Sequence, residues 1–339
     1  MSALNLSSSR TAAQFATVLV LLLTFSVGMK TGRHIASETL EASKQSGIAT
    51  FGPHFPYQLD DPVRKLALPA VLQEASAVSY VDGAHVGMVQ DESGIIYIYS
   101  LLENRIVNKV PFADDGDYEG LEIIEDEAWV LKSDGDLIYL PNINNTELPS
   151  VKLENFLRAS DDTEGLALDR QRGQLLVGLK EIPKLEGKKR RDKRAVYAFD
   201  LHGQTLLDKP YLLLDMTEIK RVYQSQVGGS KAETFNITQK KVFQPSGLAI
   251  HPLTGHIYHI AARGQLLVVS DHSGLIHFVR ALPKTLFRQP EGITFDPRGN
   301  MFIVNEGAGS SAILMEFQYK PVAPRAPPAP TSVKFGMSF

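Results

Sequence analysis

The chain has 339 residues, 43% of them apolar, and a formal net charge of −3. That is enough apolar residue for a sizeable packed core, and nothing in the near-neutral balance suggests the strongly basic face of a nucleic-acid binder. The absence of cysteine excludes disulfide scaffolds, thiolate metal sites and thiol catalysis.

After a tail of residues 1–10, residues 11–29, "TAAQFATVLVLLLTFSVGM", carry no charge. At the rise of an α-helix they would span about 28 Å, close to the hydrocarbon thickness of a bilayer. The expectation is a transmembrane signal anchor. A cleaved signal peptide ending near Ser26-Val27-Gly28 is the competing reading. Arg10 before the span and Lys30 and Arg33 after it leave the charge bias nearly tied. An N-terminal span ahead of a lone domain is usually an export signal, so the expected location is the inner membrane, with the rest of the chain in the periplasm. Residues 30–65 read as a polar linker.

From Leu66 the texture changes to short apolar runs between turn residues, an all-β pattern with no long helical period. One phrase recurs. It reads "EASAVSYVDG" from Glu74, "DYEGLEIIED" from Asp117, "DTEGLALDRQRG" from Asp162, "QPSGLAIHPLTG" from Gln244 and "QPEGITFDPRGN" from Gln289. The equivalent positions are Ser76, Glu119, Glu164, Ser246 and Glu291, at spacings of 43, 45, 82 and 45. A period near 45 with four short strands per unit predicts the blades of a β-propeller. The long interval is explained by polar insertions at residues 182–194 and 216–241. Five blades over residues 66–319 are expected, six if the long interval hides a degenerate one. Residues 320–339, rich in Pro and Ala, read as an extended tail.

In a propeller the innermost strands line the axis, so equivalent positions of different blades form a ring. The Gly after the key residue suits a place where backbones crowd together. Glu119, Glu164 and Glu291 would then converge, joined from two residues upstream by Glu74, Asp117 and Asp162. Packed carboxylates do not all stay ionised without compensation. Oxygen ligands, with no cysteine and no ring histidine, point to Ca2+, and to Mg2+ second. The alternative is that the acids are solvated or pair with Lys132, Lys180 or Arg263. Asp91 and Glu306, at second-strand ends, are further candidates.

The phrases "DYEGLEI", "DTEGLALD", "PSGLAIHP" and "QPEGITFDPRGNMFIVNEG" resemble the SdiA-regulated family of bacterial proteins over residues 66–319. The resemblance implies an N-terminal membrane or signal segment, a five-bladed propeller and a bound Ca2+. Glu119, Glu164 and Glu291 are the ligands that it would carry over. Ser76 and Ser246 supply no carboxylate. The resemblance supplies no activity.

His251, His256 and His259 share one hairpin, but the odd spacing of His256 and His259 puts them on opposite faces of a regular strand. No Gly-x-Ser-x-Gly elbow exists for a serine hydrolase. The basic run from Lys188 to Arg194 reads as a solvated hairpin tip. Two functions remain in view. One is a membrane-anchored, calcium-binding module for an unknown small-molecule or protein partner. The other is a calcium-dependent hydrolase of lactones or phosphoesters.

Overall fold

A computed structural model describes residues 55–145, 147–227 and 243–321. The expected anchor at 11–29 lies outside the described residues, as do most of the linker and the tail beyond residue 321. No helix among the described residues is long and apolar enough to cross a membrane.

Five antiparallel sheets follow one another around a central axis. Their innermost strands are Ala75–Asp82, Tyr118–Ile124, Thr163–Asp169, Gly247–Ile250 and Pro290–Phe295, and we number the blades 1 to 5 in that order. Five blades are therefore present, each beginning at one copy of the repeated phrase. The short apolar runs arise because strands are covered on both faces. One hydrophobic cluster fills each of the five interfaces between adjacent blades. Trp129 and Leu131 of blade 2, for example, share a core with Leu166 and Leu175 of blade 3.

The ring closes with a strand from the far end of the chain. Blade 5 is completed by Arg64–Ala67, which pairs with Ile313–Phe317 in the register Arg64↔Glu316 to Ala67↔Ile313. Just before it, Tyr57 and Leu59 are buried against blades 4 and 5. The stretch 55–65, expected as the end of a polar linker, is thus packed onto the propeller. The backbone N–H of Lys320 donates to Pro56 O at 2.9 Å, so both ends of the described chain leave side by side. They leave beside the turn between the first two strands of blade 5, where Tyr57 donates to Gly299 O at 2.6 Å. That turn lies at the opposite end of the inner strand from Glu291.

The long interval between blades 3 and 4 holds a two-stranded hairpin, Lys184–Leu185 with Lys188–Lys189, and a helix, Met216–Val227. The hairpin and its exposed lysines match the expected solvated tip, except at its end. Lys193 pairs with Asp215 at 2.5 Å, and Arg194 is buried, donating Nε–H to Phe243 O at 2.6 Å. The helix lies where a polar insertion outside the strand pattern was expected. Asp215 caps it, its Oδ1 accepting from the backbone N–H groups of Thr217 and Glu218 at 2.7 and 3.3 Å. Met216, Ile219, Val222 and Tyr223 bury one face of it in the core between blades 3 and 4.

Candidate site at the mouth of the propeller

Each key residue opens an inner strand at the same end of the propeller. In four blades it sits in a β-bulge. The register steps from Ala75↔Gln90 to Ala77↔Val89 around Ser76, and from Tyr118↔Lys132 to Gly120↔Leu131 around Glu119. It steps likewise from Thr163↔Leu179 to Leu166↔Val177 across Glu164, and from Pro290↔Asn305 to Gly292↔Val304 around Glu291. A bulge inserts one unpaired residue and re-aims its side chain. Regular strand alternation is therefore broken between the key residues and Glu74, Asp117 and Asp162, although Asp117 still repels Glu119 and Asp162 repels Glu164.

The following glycine is required by close backbone approach. A Cβ on Gly247 would lie 2.4 Å from Glu291 O, and one on Gly292 would lie 2.7 Å from Val78 N. Both contacts are with the backbone of the next blade, as expected from crowding at the axis. The two serines tie the same seam. Ser76 Oγ donates to Tyr118 O and Ser246 Oγ donates to Pro290 O, each at 2.6 Å.

The three glutamates have no such arrangement. Glu164 is 3% exposed, and its Oε1 is paired with the Lys180 ammonium, which stands at the end of the neighbouring strand. Its Oε2 is buried without a hydrogen-bond partner. Lys180 also lies 3.8 Å from Asp162 Oδ2. Of the three counter-ions named from the sequence, Lys180 is the one that pairs with the ring, while Lys132 pairs with Asp134.

Burial pushes the Glu119 carboxyl well above the usual range, and repulsion from Glu164, Asp117 and Glu291 adds to it. Burial, then repulsion from Glu291, pushes Glu164 up as well. Burial raises Glu291, although the Lys180 ammonium and a hydrogen bond from Gln289 pull the other way. Lys180 is held in its charged form by Glu164, against its own burial. The two shifts of the Lys180–Glu164 pair oppose each other. Lys180 is the more open partner and keeps its charge, so Glu164 is the member that gains or loses the proton. A second acidic group lies towards blade 1. Burial and repulsion from Glu74, Glu92, Glu306 and Asp117 push Asp91 up to about 6, and its Oδ1 is buried without a partner.

A cavity of about 310 Å³ opens at this mouth. Blade 3 contributes Glu164 and Lys180 to its wall. Blade 4 contributes Gln244, Ser246 and Arg263, and Arg288, Gln289 and Glu291 lead into blade 5. Glu119 acts on the other two acids electrostatically but does not line the cavity. Among the described residues, no three His, Cys, Asp or Glu side chains are arranged to hold a metal ion as they stand. The blade 4 histidines are elsewhere. His251 and His256 lie at the turn between the first two strands, away from the mouth, and His259 is buried against Ser270 Oγ at 3.0 Å.

The sequence pattern of the family described as SdiA-regulated matches residues 56–308. No curated protein matches the chain. Among solved structures, the chain is similar to the glutaminyl cyclase of Myxococcus xanthus, at 15% identity and a TM-score of 0.48, over 77% of this chain and 97% of that one. It is similar to a streptogramin B lyase at 10% identity and a TM-score of 0.41, over 75% and 97% of the two chains. A chain of a nidogen/laminin complex matches at 12% identity and a TM-score of 0.42, over 68% and 72%.

Proposed function

The chain belongs to the SdiA-regulated family, and from that premise and the chemistry of the mouth we propose a binding module whose propeller mouth takes a cation, with Ca2+ as the resident ion. One observation carries the proposal. Carboxyls from three blades, Glu164 buried and Glu119 and Glu291 half-buried, lie within electrostatic reach of one another with the Lys180 ammonium among them. The donor chemistry fits a hard cation, because Glu164 Oε2 is a buried oxygen without a partner. Glu119, Glu164 and Glu291 would hold the ion once their side chains close on it from their present positions, and it would supply the positive charge that the acids lack. The alternative, a calcium-dependent hydrolase, needs a general base beside the ion. The mouth offers only acids already engaged in the site, and the histidines of blade 4 are away from it, so binding is preferred. Attachment to the inner membrane through residues 11–29, with the propeller in the periplasm, belongs to the same proposal. It would hold the domain by the face where its ends emerge and leave the mouth open.

Titration calorimetry and thermal melting of the full chain with Ca2+ and with chelator test the ion. At a hundredfold excess over its dissociation constant, a bound ion stabilises by about 2.7 kcal/mol. For a domain of this size that raises the melting temperature by roughly 5–10 °C. Glu291→Gln should lose most of this response. An unchanged melting curve on chelation, together with no heat on adding Ca2+, would refute the proposal.

A further inference from the structure

The cavity at the mouth is not simply acidic. Its inner wall carries Glu164, 3% exposed, and beside it Glu291. Its outer wall carries Arg263 and Arg288, both exposed. Neither guanidinium forms an ion pair with a carboxylate of the described residues. Among the described residues, the side chain of Arg288 donates a hydrogen bond from Nη1 to Ser310 Oγ at 3.0 Å. On the inner side, Glu164 Oε2 is a buried acceptor with no donor. The wall thus has an acceptor oxygen without a donor inside, beside the Lys180–Glu164 pair, and two guanidinium groups without an ion pair outside, with two amides, Gln244 and Gln289, in the same lining.

We infer that this cavity takes a small zwitterion of amino-acid or dipeptide size, its ammonium directed to Glu164 and Glu291 and its carboxylate to Arg263 and Arg288. This rests on the reading that the mouth accepts a cation, and names an organic one whose ammonium would take the place of Ca2+ on these two carboxyls. Three further observations narrow the class. At about 310 Å³ the cavity is at the small end of the range for ligand sites, roughly 300–1,000 Å³. No aromatic side chain lines it, so it lacks the cage that recognises a quaternary ammonium. A primary ammonium needs hydrogen-bond acceptors instead, and Glu164 Oε2 and the Gln244 and Gln289 carbonyls are of that kind. A guanidinium fork suits a planar carboxylate, which it can bind through two parallel hydrogen bonds.

The test is titration calorimetry of the full chain with alanyl-alanine, with N-acetyl-alanyl-alanine, with alanyl-alanine amide and with Ca2+ alone. The free dipeptide should bind, and both blocked forms should bind at least tenfold more weakly. Arg263→Gln combined with Arg288→Gln changes two exposed side chains and should abolish the preference for the free carboxylate while leaving the Ca2+ heat in place. Equal binding of the three peptides, or heat from Ca2+ with none from the dipeptide, overturns the zwitterion and leaves the cation reading standing. No heat from either overturns both.

Discussion

Replacing Lys180 by Met removes the ammonium paired with Glu164 and leaves that buried carboxyl without compensation. Breaking a buried ion pair can cost about 3–5 kcal/mol, but Glu164 has an escape, since it can keep a proton. Its carboxyl is raised from 4.5 to about 8 even with Lys180 present. The native state therefore binds a proton that the unfolded chain has released, and stability falls as pH rises from about 4.5 to about 8. The slope is at most ~1.4 kcal/mol per pH unit for one retained proton. Lys180 itself, with its pKa raised, stays charged across this range and contributes no slope there. Removing it moves only the upper limit of the window. Below pH 8 the curves of wild type and variant should run parallel, offset by the lost contact. Above pH 8 the Glu164 contribution of the wild type should end, leaving the slope from Glu119, whose carboxyl is raised to about 10, while Lys180→Met falls more steeply, reaching a further gap of ~1–2 kcal/mol by pH 9.5. Urea unfolding in chelator at a series of pH values measures this. Lys180→Arg should follow the wild type. Curves that stay parallel to pH 9.5 would show that Glu164 does not depend on Lys180, and would refute the electrostatic account of the mouth.

Two structural predictions accompany it. Gly247→Ala places a methyl group 2.4 Å from Glu291 O, a backbone atom of the next blade, and should destabilise by about 1–3 kcal/mol in denaturant unfolding; a loss under about 0.5 kcal/mol would mean that the seam between blades 4 and 5 is not tight. Deleting residues 1–67 removes the strand that closes blade 5 and bares the edge of Ile313–Phe317; the product should lose cooperative melting and self-associate by light scattering, and a monomer with a wild-type melt would refute closure by that strand.

The blade repeat was legible because one local phrase meets one geometric need. The glycine at 120, 165, 247 and 292 leaves room for the neighbouring inner strand, and that need recurs at four of the five seams, with Ala77 at the fifth. What depended on pairing was not legible. A bulge at Glu119 or Glu291 is a mismatch of count between two strands, and neither strand alone encodes it. The closing strand Arg64–Ala67 is four residues long, and its partner lies almost a whole domain away in sequence, so no periodicity marks it. Lys180 was one of three named counter-ions, and only the fold could choose among them. The helix Met216–Val227 did carry a signal. Asp215 is a good cap, and the apolar positions at 216, 219, 222 and 223 follow a helical stripe. The charged residues between them disguised it as an insertion without structure.

The ring position itself shows why the acids require a reason. At Ser76 and Ser246 the hydroxyl donates across the seam to a carbonyl of the next blade, at 2.6 Å in both cases. An ionised glutamate has no hydrogen to donate and can only accept. At the three other positions the chain therefore forgoes this bond in its charged form and adds mutual repulsion in a buried place. Serine is compatible with the bulge, as Ser76 shows. The fold thus has a less costly residue for this position and uses it twice. Three carboxyls that weaken the seam are a local rule broken at one spot, the pattern expected where a site has a task besides folding. A bound cation removes the repulsion, and a ligand ammonium gives Glu164 Oε2 the donor it lacks. The same three substitutions that would make the ring all serine should therefore strengthen the propeller and empty its mouth.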